Sequence, residues 1–156
     1  MRNVVAKLVV GMAITSIGMF AADNSIGTWK LNIEKSKSTP PRTNPITSLT
    51  IVNEAADAGV KVTVTGQLKD GTAINSSYTV KYDGKEYPVP GAPWDTTSIR
   101  QIDAKTFTSE NKKAGGKFHT TGRMVISKDG KTMTFTGKGT DADGKPTSVA
   151  FIYEKQ

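Results

Sequence analysis

Apolar and polar side chains alternate along most of this chain, beginning at Gly27-Thr28-Trp29-Lys30-Leu31-Asn32-Ile33. Trp29, Leu31 and Ile33 fall on one side of an extended backbone and Thr28, Lys30 and Asn32 on the other, the period of a half-buried strand. Gly27 permits a tight entry into it. The same period returns downstream. Val60, Val62 and Val64 oppose Lys61, Thr63 and Thr65, and Ile74, Tyr78, Val80 and Tyr82 oppose Asn75, Ser77, Thr79 and Lys81. Phe118, Met124 and Ile126 oppose His119, Thr121 and Arg123; Met133 and Phe135 oppose Thr132, Thr134 and Thr136; Val149, Phe151 and Tyr153 oppose Ala150 and Ile152. After the N-terminal apolar run, no segment keeps a helical period for three turns.

Turn chemistry separates these segments. Asp70-Gly71, Asp83-Gly84, Gly115-Gly116, Asp129-Gly130 and Asp143-Gly144 each suit a tight hairpin, because these pairs tolerate positive φ, and Asp103-Ala104 is a weaker sixth. Their spacing of about 12 to 14 residues leaves strands of about 8 to 10, longer than average. Residues 35 to 46 contain Pro40, Pro41 and Pro45, which exclude a helix or a central strand and predict a long loop. Pro88, Pro90, Gly91 and Pro93 predict a second irregular loop running to Trp94. Consecutive hairpins without helices predict an antiparallel, all-β, up-and-down barrel of about eight to ten strands, whose closure removes exposed edges. Lys85 to Val89 decides the count, and Gly122, inside a good strand, fits a sharp bend of the wall.

The segment before Gly27 changes the picture of where the domain begins. Arg2 and Lys7, an apolar run from Leu8 to Phe20, and Ala21-Ala22 follow the order of a secretory signal peptide. Residues 1–22 are therefore expected to be a leader and residues 23–156 a single domain. That run is short of the roughly 20 apolar residues of a membrane span, so the mature protein is expected to be secreted or periplasmic, without membrane insertion. There is no cysteine, which excludes disulfides and a thiol nucleophile. The 156 residues carry a net charge of +7, and removing Arg2 and Lys7 leaves 19 basic residues against 14 acidic. The lysines are scattered, without the basic clustering and interleaved aromatics of a nucleic-acid binder. A monomer that takes no nucleic acid is expected.

Gly27-Thr28-Trp29 at the head of an all-β chain resembles the Gly-x-Trp mark of the lipocalin-like (calycin) superfamily, which includes the fatty-acid-binding proteins. Gly-Thr-Trp-Lys-Leu-Asn at 27 to 32, Lys-Tyr-Asp-Gly-Lys-Glu-Tyr-Pro-Val at 81 to 89, Ser-Lys-Asp-Gly-Lys-Thr-Met-Thr at 127 to 134 and the terminal Tyr-Glu-Lys-Gln resemble, more closely, a family of small secreted bacterial lipocalin-like proteins. The resemblance covers nearly the whole mature chain and implies a fold rather than an activity. It also implies that Trp29 plugs the closed end of the barrel, with Arg123 or Lys155 lying across its indole. Two departures stand out. Three prolines occupy the place where fatty-acid-binding proteins carry a helical pair, and Phe151 stands where their carboxylate-binding Arg precedes a Tyr, here Tyr153.

Candidate chemistry is sparse. His119 is the only histidine, which excludes a site with two imidazoles, and its position opposite Phe118 and Met124 predicts an outward, solvated ring. Asp141-Ala142-Asp143-Gly144 resembles the start of a calcium loop, but Lys145, Pro146 and Thr147 replace the ligands that should follow. Nothing places Glu86 and Asp95 together as a carboxylate pair. No catalytic residue, metal or cofactor is assigned, and the expected function is not enzymatic. The expectation is a module holding a small hydrophobic ligand, its wall built from Tyr78, Val80, Phe107, Phe118, Met124, Phe135, Phe151 and Tyr153, with Trp94 at the entrance. Its alternative is an envelope interaction protein with a fully packed barrel, binding partners through a Thr- and Lys-rich surface.

Overall fold

The computed structural model describes residues 23–156, so the leader expected at 1–22 lies outside the described residues. The strands in chain order are β1 (Gly27–Leu31), β2 (Lys37–Thr39), β3 (Ile46–Ala56), β4 (Gly59–Leu68), β5 (Ala73–Val80), β6 (Asp83–Pro88), β7 (Thr96–Asp103), β8 (Thr106–Lys112), β9 (His119–Ile126), β10 (Thr132–Thr140) and β11 (Pro146–Lys155). All pairings are antiparallel, in the order β5-β4-β3-β1-β11-β10-β9-β8-β7-β6, and β2 continues the line of β1 along β11. The sheet is thus a ten-position barrel wall. Among the described residues there is no helix, hence none long and apolar enough to cross a membrane.

Register fixes which side chains point inward. Trp29 faces Ile51 and Lys155, Leu31 faces Tyr153, and the same face runs on through Met133, Phe135, Met124 and Phe107. One end is sealed by Trp29, Val60, Val62, Val80, Phe107, Ile126 and Met133. Burying each of these aliphatic or Phe side chains contributes about 1.5–3 kcal/mol. The Trp29 Nε1–H donates to the Ser25 carbonyl at 2.8 Å, and that carbonyl also accepts from Asn53 Nδ2 at 2.9 Å. The one polar atom of the indole is thereby satisfied where water cannot reach it.

Most turns are the expected ones; the tight β3–β4 turn at Asp57-Ala58 is additional to them, and one expected turn differs. Asp70, Asp103 and Asp129 each accept, through Oδ1, the N–H two residues on, and Asp141 accepts from both Asp143 and Lys145. These aspartates are structural acceptors of their turns, which is the role the Asp141 run takes instead of a calcium loop. Asp83-Gly84 makes no hairpin. Its Asp turn is present, with Gly84 at φ +77°, but β6 pairs only with β7 and no ladder joins it to β5. The Pro-rich edge of β6 explains the break: Pro88 and Pro90 have no N–H to give. The seam is held instead by Ser76 Oγ donating to the Pro90 carbonyl at 2.7 Å.

The long loop is shorter than its prolines suggest, because Lys37–Thr39 forms β2 against Ala150, Val149 and Ser148. Ile33 leaves the interior once β1 ends and is 42% exposed. Gly122 makes no isolated bend: it lies directly opposite Gly137, and the Phe135 ring rests across both. A Cβ on Gly122 would stand 2.3 Å from Phe135 Cε2, so the two glycines make the flat floor that the ring needs.

Candidate functional site

The barrel wall opens where β1 parts from β3. Their ladder ends at the Lys30–Thr50 pair; beyond it β2 stays with β11, while the first residues of β3 pair only with β4. The chain from Pro40 to Pro45 bridges this split. Beneath it lies a cleft of about 320 Å³ lined by Leu31, Ile33, Ser36, Lys37, Ser38, Pro41, Arg42, Pro45, Ile46 and Phe151.

Arg42 is the cation set over the aromatic side of that cleft, which Ser36, Lys37 and Ser38 also border. Its Cζ stands 6.0 Å from the centroid of the Phe151 ring, at cation–π range. Nε donates a long 3.4 Å hydrogen bond to Ser38 Oγ, and no carboxylate lies within ion-pair distance among the described residues. The residue as a whole remains exposed at the surface, but desolvation of the guanidinium lowers its pKa, partly offset by Tyr153. An exposed guanidinium that no carboxylate neutralises is free to meet an incoming anion with charge-assisted hydrogen bonds.

The residues expected to form the ligand wall all belong to the inner face or the rim, at three depths. Val80 and Phe107 lie in the sealed end, 0% and 1% exposed, with Tyr82 packed edge-on to Phe107 at 4.9 Å, and they do not border the cleft. Tyr78, Met124, Phe135 and Phe151 are partly buried and pack against the core, and Tyr153 is part of it. Burial pushes the hydroxyls of Tyr78 and Tyr82 up to about 12 and raises that of Tyr153 further. Trp94 and Phe118 stack at the rim, centroids 5.3 Å apart and planes 19° from parallel, and the Trp94 Nε1–H is buried without a partner. Neither of them lines the cleft beside Arg42. Of the expected wall, the structure brings Phe151 to the cleft.

Arg123 is not the cation over Trp29. Gly122 and Met124 point inward, so strand parity sends Arg123 outward, and Lys155 takes the place with Nζ 5.1 Å from the indole centroid. His119 points outward as expected and is paired rather than merely solvated: Nε2 lies 2.6 Å from Glu110 Oε1. That contact, ahead of Lys112, lowers the Glu110 pKa. Glu86 and Asp95 each pair with a different lysine, Lys112 at 3.0 Å and Lys113 at 3.5 Å. No group of three or more metal-ligating side chains occurs among the described residues. Sequence reasoning missed Arg42, which sits among prolines with no periodicity to assign it a face.

No family model matches the chain, and no curated protein matches it. Among solved structures, one of EF1p2_mFAP2b bound to DFHBI is similar over 87% of this chain and 97% of its own, at 11% identity and a TM-score of 0.48. A zebrafish ileal bile-acid-binding protein complexed with cholic acid is similar over 85% of this chain and 99% of its own, at 10% identity and a TM-score of 0.47.

Proposed function

We propose that this protein is a carrier or sensor of a small apolar molecule bearing a negative charge, held in the wall cleft between β2 and β3. The observation that carries the reading is Arg42, a guanidinium with no carboxylate partner among the described residues, standing over Phe151 beside the apolar Leu31, Pro41, Pro45 and Ile46. Concave sites of this kind bind by apolar lining plus a few placed polar groups. The cleft rather than the barrel axis is the site in this reading, because Tyr78, Met124 and Phe135 pack onto the core. The reading is of binding without turnover. The leader-like order of residues 1–22 supports an exported, secreted or periplasmic protein.

Native mass spectrometry of the protein purified from its own host without detergent, followed by organic extraction, tests this reading. A reproducible added mass from an acidic, apolar compound is expected, together with an N-terminus near Asp23. A bare polypeptide that also fails to take up small amphipathic anions contradicts it and leaves the packed-barrel interaction protein.

A further inference from the structure

A second concavity, about 870 Å³ and open to solvent, lies on the outer face of β7 to β11 and has no part in the cleft reading. Its surface is set by strand parity. Residues flanking the inward Ile99, Gly122 and Gly137 point out, and the register aligns them in two rows across the strands. Arg100, Thr108, Arg123 and Thr136 face one another in sequence along the first row. Ser98, Glu110, Thr121, Lys138 and Ser148 do so along the second. The result is a hydroxyl-lined groove with three cations.

Those cations are free among the described residues. Arg100, Arg123 and Lys138 take part in no ion pair or side-chain hydrogen bond, although Asp103 lies near enough to feel the Arg123 charge. The one carboxylate in the groove is already satisfied, since Glu110 holds His119 on Oε1 and Lys112 at 3.3 Å on Oε2. Arg100 lies against Gly84, where a Cβ would come within 2.7 Å of Nη2, so a glycine at the seam gives the guanidinium its place. Strands sit about 4.8 Å apart, which sets Arg100 and Arg123 about 10 Å from each other at the backbone. A spaced pair of guanidiniums suits repeated carboxylates, each met by a two-pronged hydrogen bond, better than a single small anion.

The lining selects among polyanions. No aromatic side chain lines the groove and Val149 is the one apolar side chain in its lining, so nucleic-acid bases have no stacking platform and an acidic peptide finds little apolar anchorage. Ser98, Thr108, Thr121, Thr136 and Ser148 instead offer hydroxyls that both donate and accept, as sugar hydroxyls do. We propose that the outer face of β7 to β11 binds a linear acidic polysaccharide, its carboxylates on Arg100, Arg123 and Lys138 and its hydroxyls on the Ser and Thr rows.

The test is calorimetric titration of the whole protein with hexagalacturonate, maltohexaose, hexaglutamate and hexathymidylate at low salt. Hexagalacturonate is expected to bind at least tenfold tighter than each of the other three, and Arg100→Gln with Arg123→Gln to weaken it at least tenfold at an unchanged melting temperature. Lys61→Gln, on the outer face of β4, is expected to stay within twofold. Should the double variant melt early, Lys138→Glu at its exposed strand position must show the same loss. Equal binding of hexaglutamate or hexathymidylate overturns the proposal in favour of a non-selective cationic surface. So does absent hexagalacturonate binding, or variants that retain wild-type affinity. Both hold whatever the cleft beside Arg42 binds.

Discussion

The Arg42 guanidinium stands 6.0 Å over the Phe151 ring, so the loop of three prolines delivers a cation to the one aromatic side chain of the cleft. Because no carboxylate balances it, Arg42→Leu is expected to leave the stability of the empty protein unchanged or slightly raised while weakening a bound anion. A hydrogen bond to a charged group is worth about 1.5–3 kcal/mol, which corresponds to about a tenfold or greater loss of affinity. Thermal unfolding without ligand, beside a titration with a small amphipathic carboxylate, separates the two effects. A large drop in melting temperature would instead make Arg42 a structural strut.

Trp29 fills the sealed end, and Trp29→Ala is expected to cost about 3–5 kcal/mol, the range for truncating a fully buried aromatic. Trp29→Phe should cost less but still orphan the Ser25 carbonyl of one donor. Lys155→Met keeps the aliphatic stem over the indole and removes the cation, at about 0.5–1 kcal/mol. Urea unfolding midpoints rank the three. A Lys155→Met variant as damaged as Trp29→Ala would contradict a plug built mainly on apolar burial.

Gly122→Ala places a methyl 2.3 Å from Phe135 Cε2, so the ring must shift to make room. Overpacking of this kind costs about 1–3 kcal/mol. In a double-mutant cycle, Phe135→Leu is expected to recover part of the Gly122→Ala loss. Strictly additive effects would show that Gly122 serves the backbone and not the ring.

Much of this architecture is legible in the sequence, for a physical reason. Inward positions such as Val62 and Met133 alternate with outward Thr and Lys because a pleated strand with one dry face favours that pattern, and Asp turns mark most hairpins. The exceptions arise where tertiary context decides. Asp83-Gly84 carries the same local signal as Asp129-Gly130, yet prolines downstream deny β6 a second partner. Arg123 and Lys155 are equal candidates for Trp29 until register assigns their faces. Arg42 has no strand around it, so only the fold of the loop reveals where its charge goes.

The alkaline limb of stability follows from the tyrosines. Tyr78 and Tyr82 are raised to about 12 and Tyr153 is also raised, each chiefly by burial. A group whose folded pKa lies above its unfolded value of about 10 stabilises fully below that value, and the contribution is lost as pH rises through the folded pKa. Stability should therefore fall between pH 10 and about 12, with tyrosinate absorbance appearing together with unfolding. At the acid end the signs reverse. Glu154, depressed by Asn32 and then Lys35, and Glu110, depressed by His119 and then Lys112, stabilise above the normal carboxylate pKa and lose that contribution as pH falls through their folded values. Free titration of three tyrosines near pH 10 in folded protein would contradict the buried placement.

The central claim, an anion-plus-apolar site between β2 and β3, is tested most directly by comparing octanoate with 1-octanol in an NMR titration of the methyl groups of Leu31, Ile33 and Ile46. Octanoate is expected to shift these methyls in wild type at least tenfold more tightly than octanol, and Arg42→Leu is expected to abolish the difference. Equal affinity for the two compounds, or shifts confined to the Trp94 and Phe118 rim with the three methyls unmoved, would contradict it.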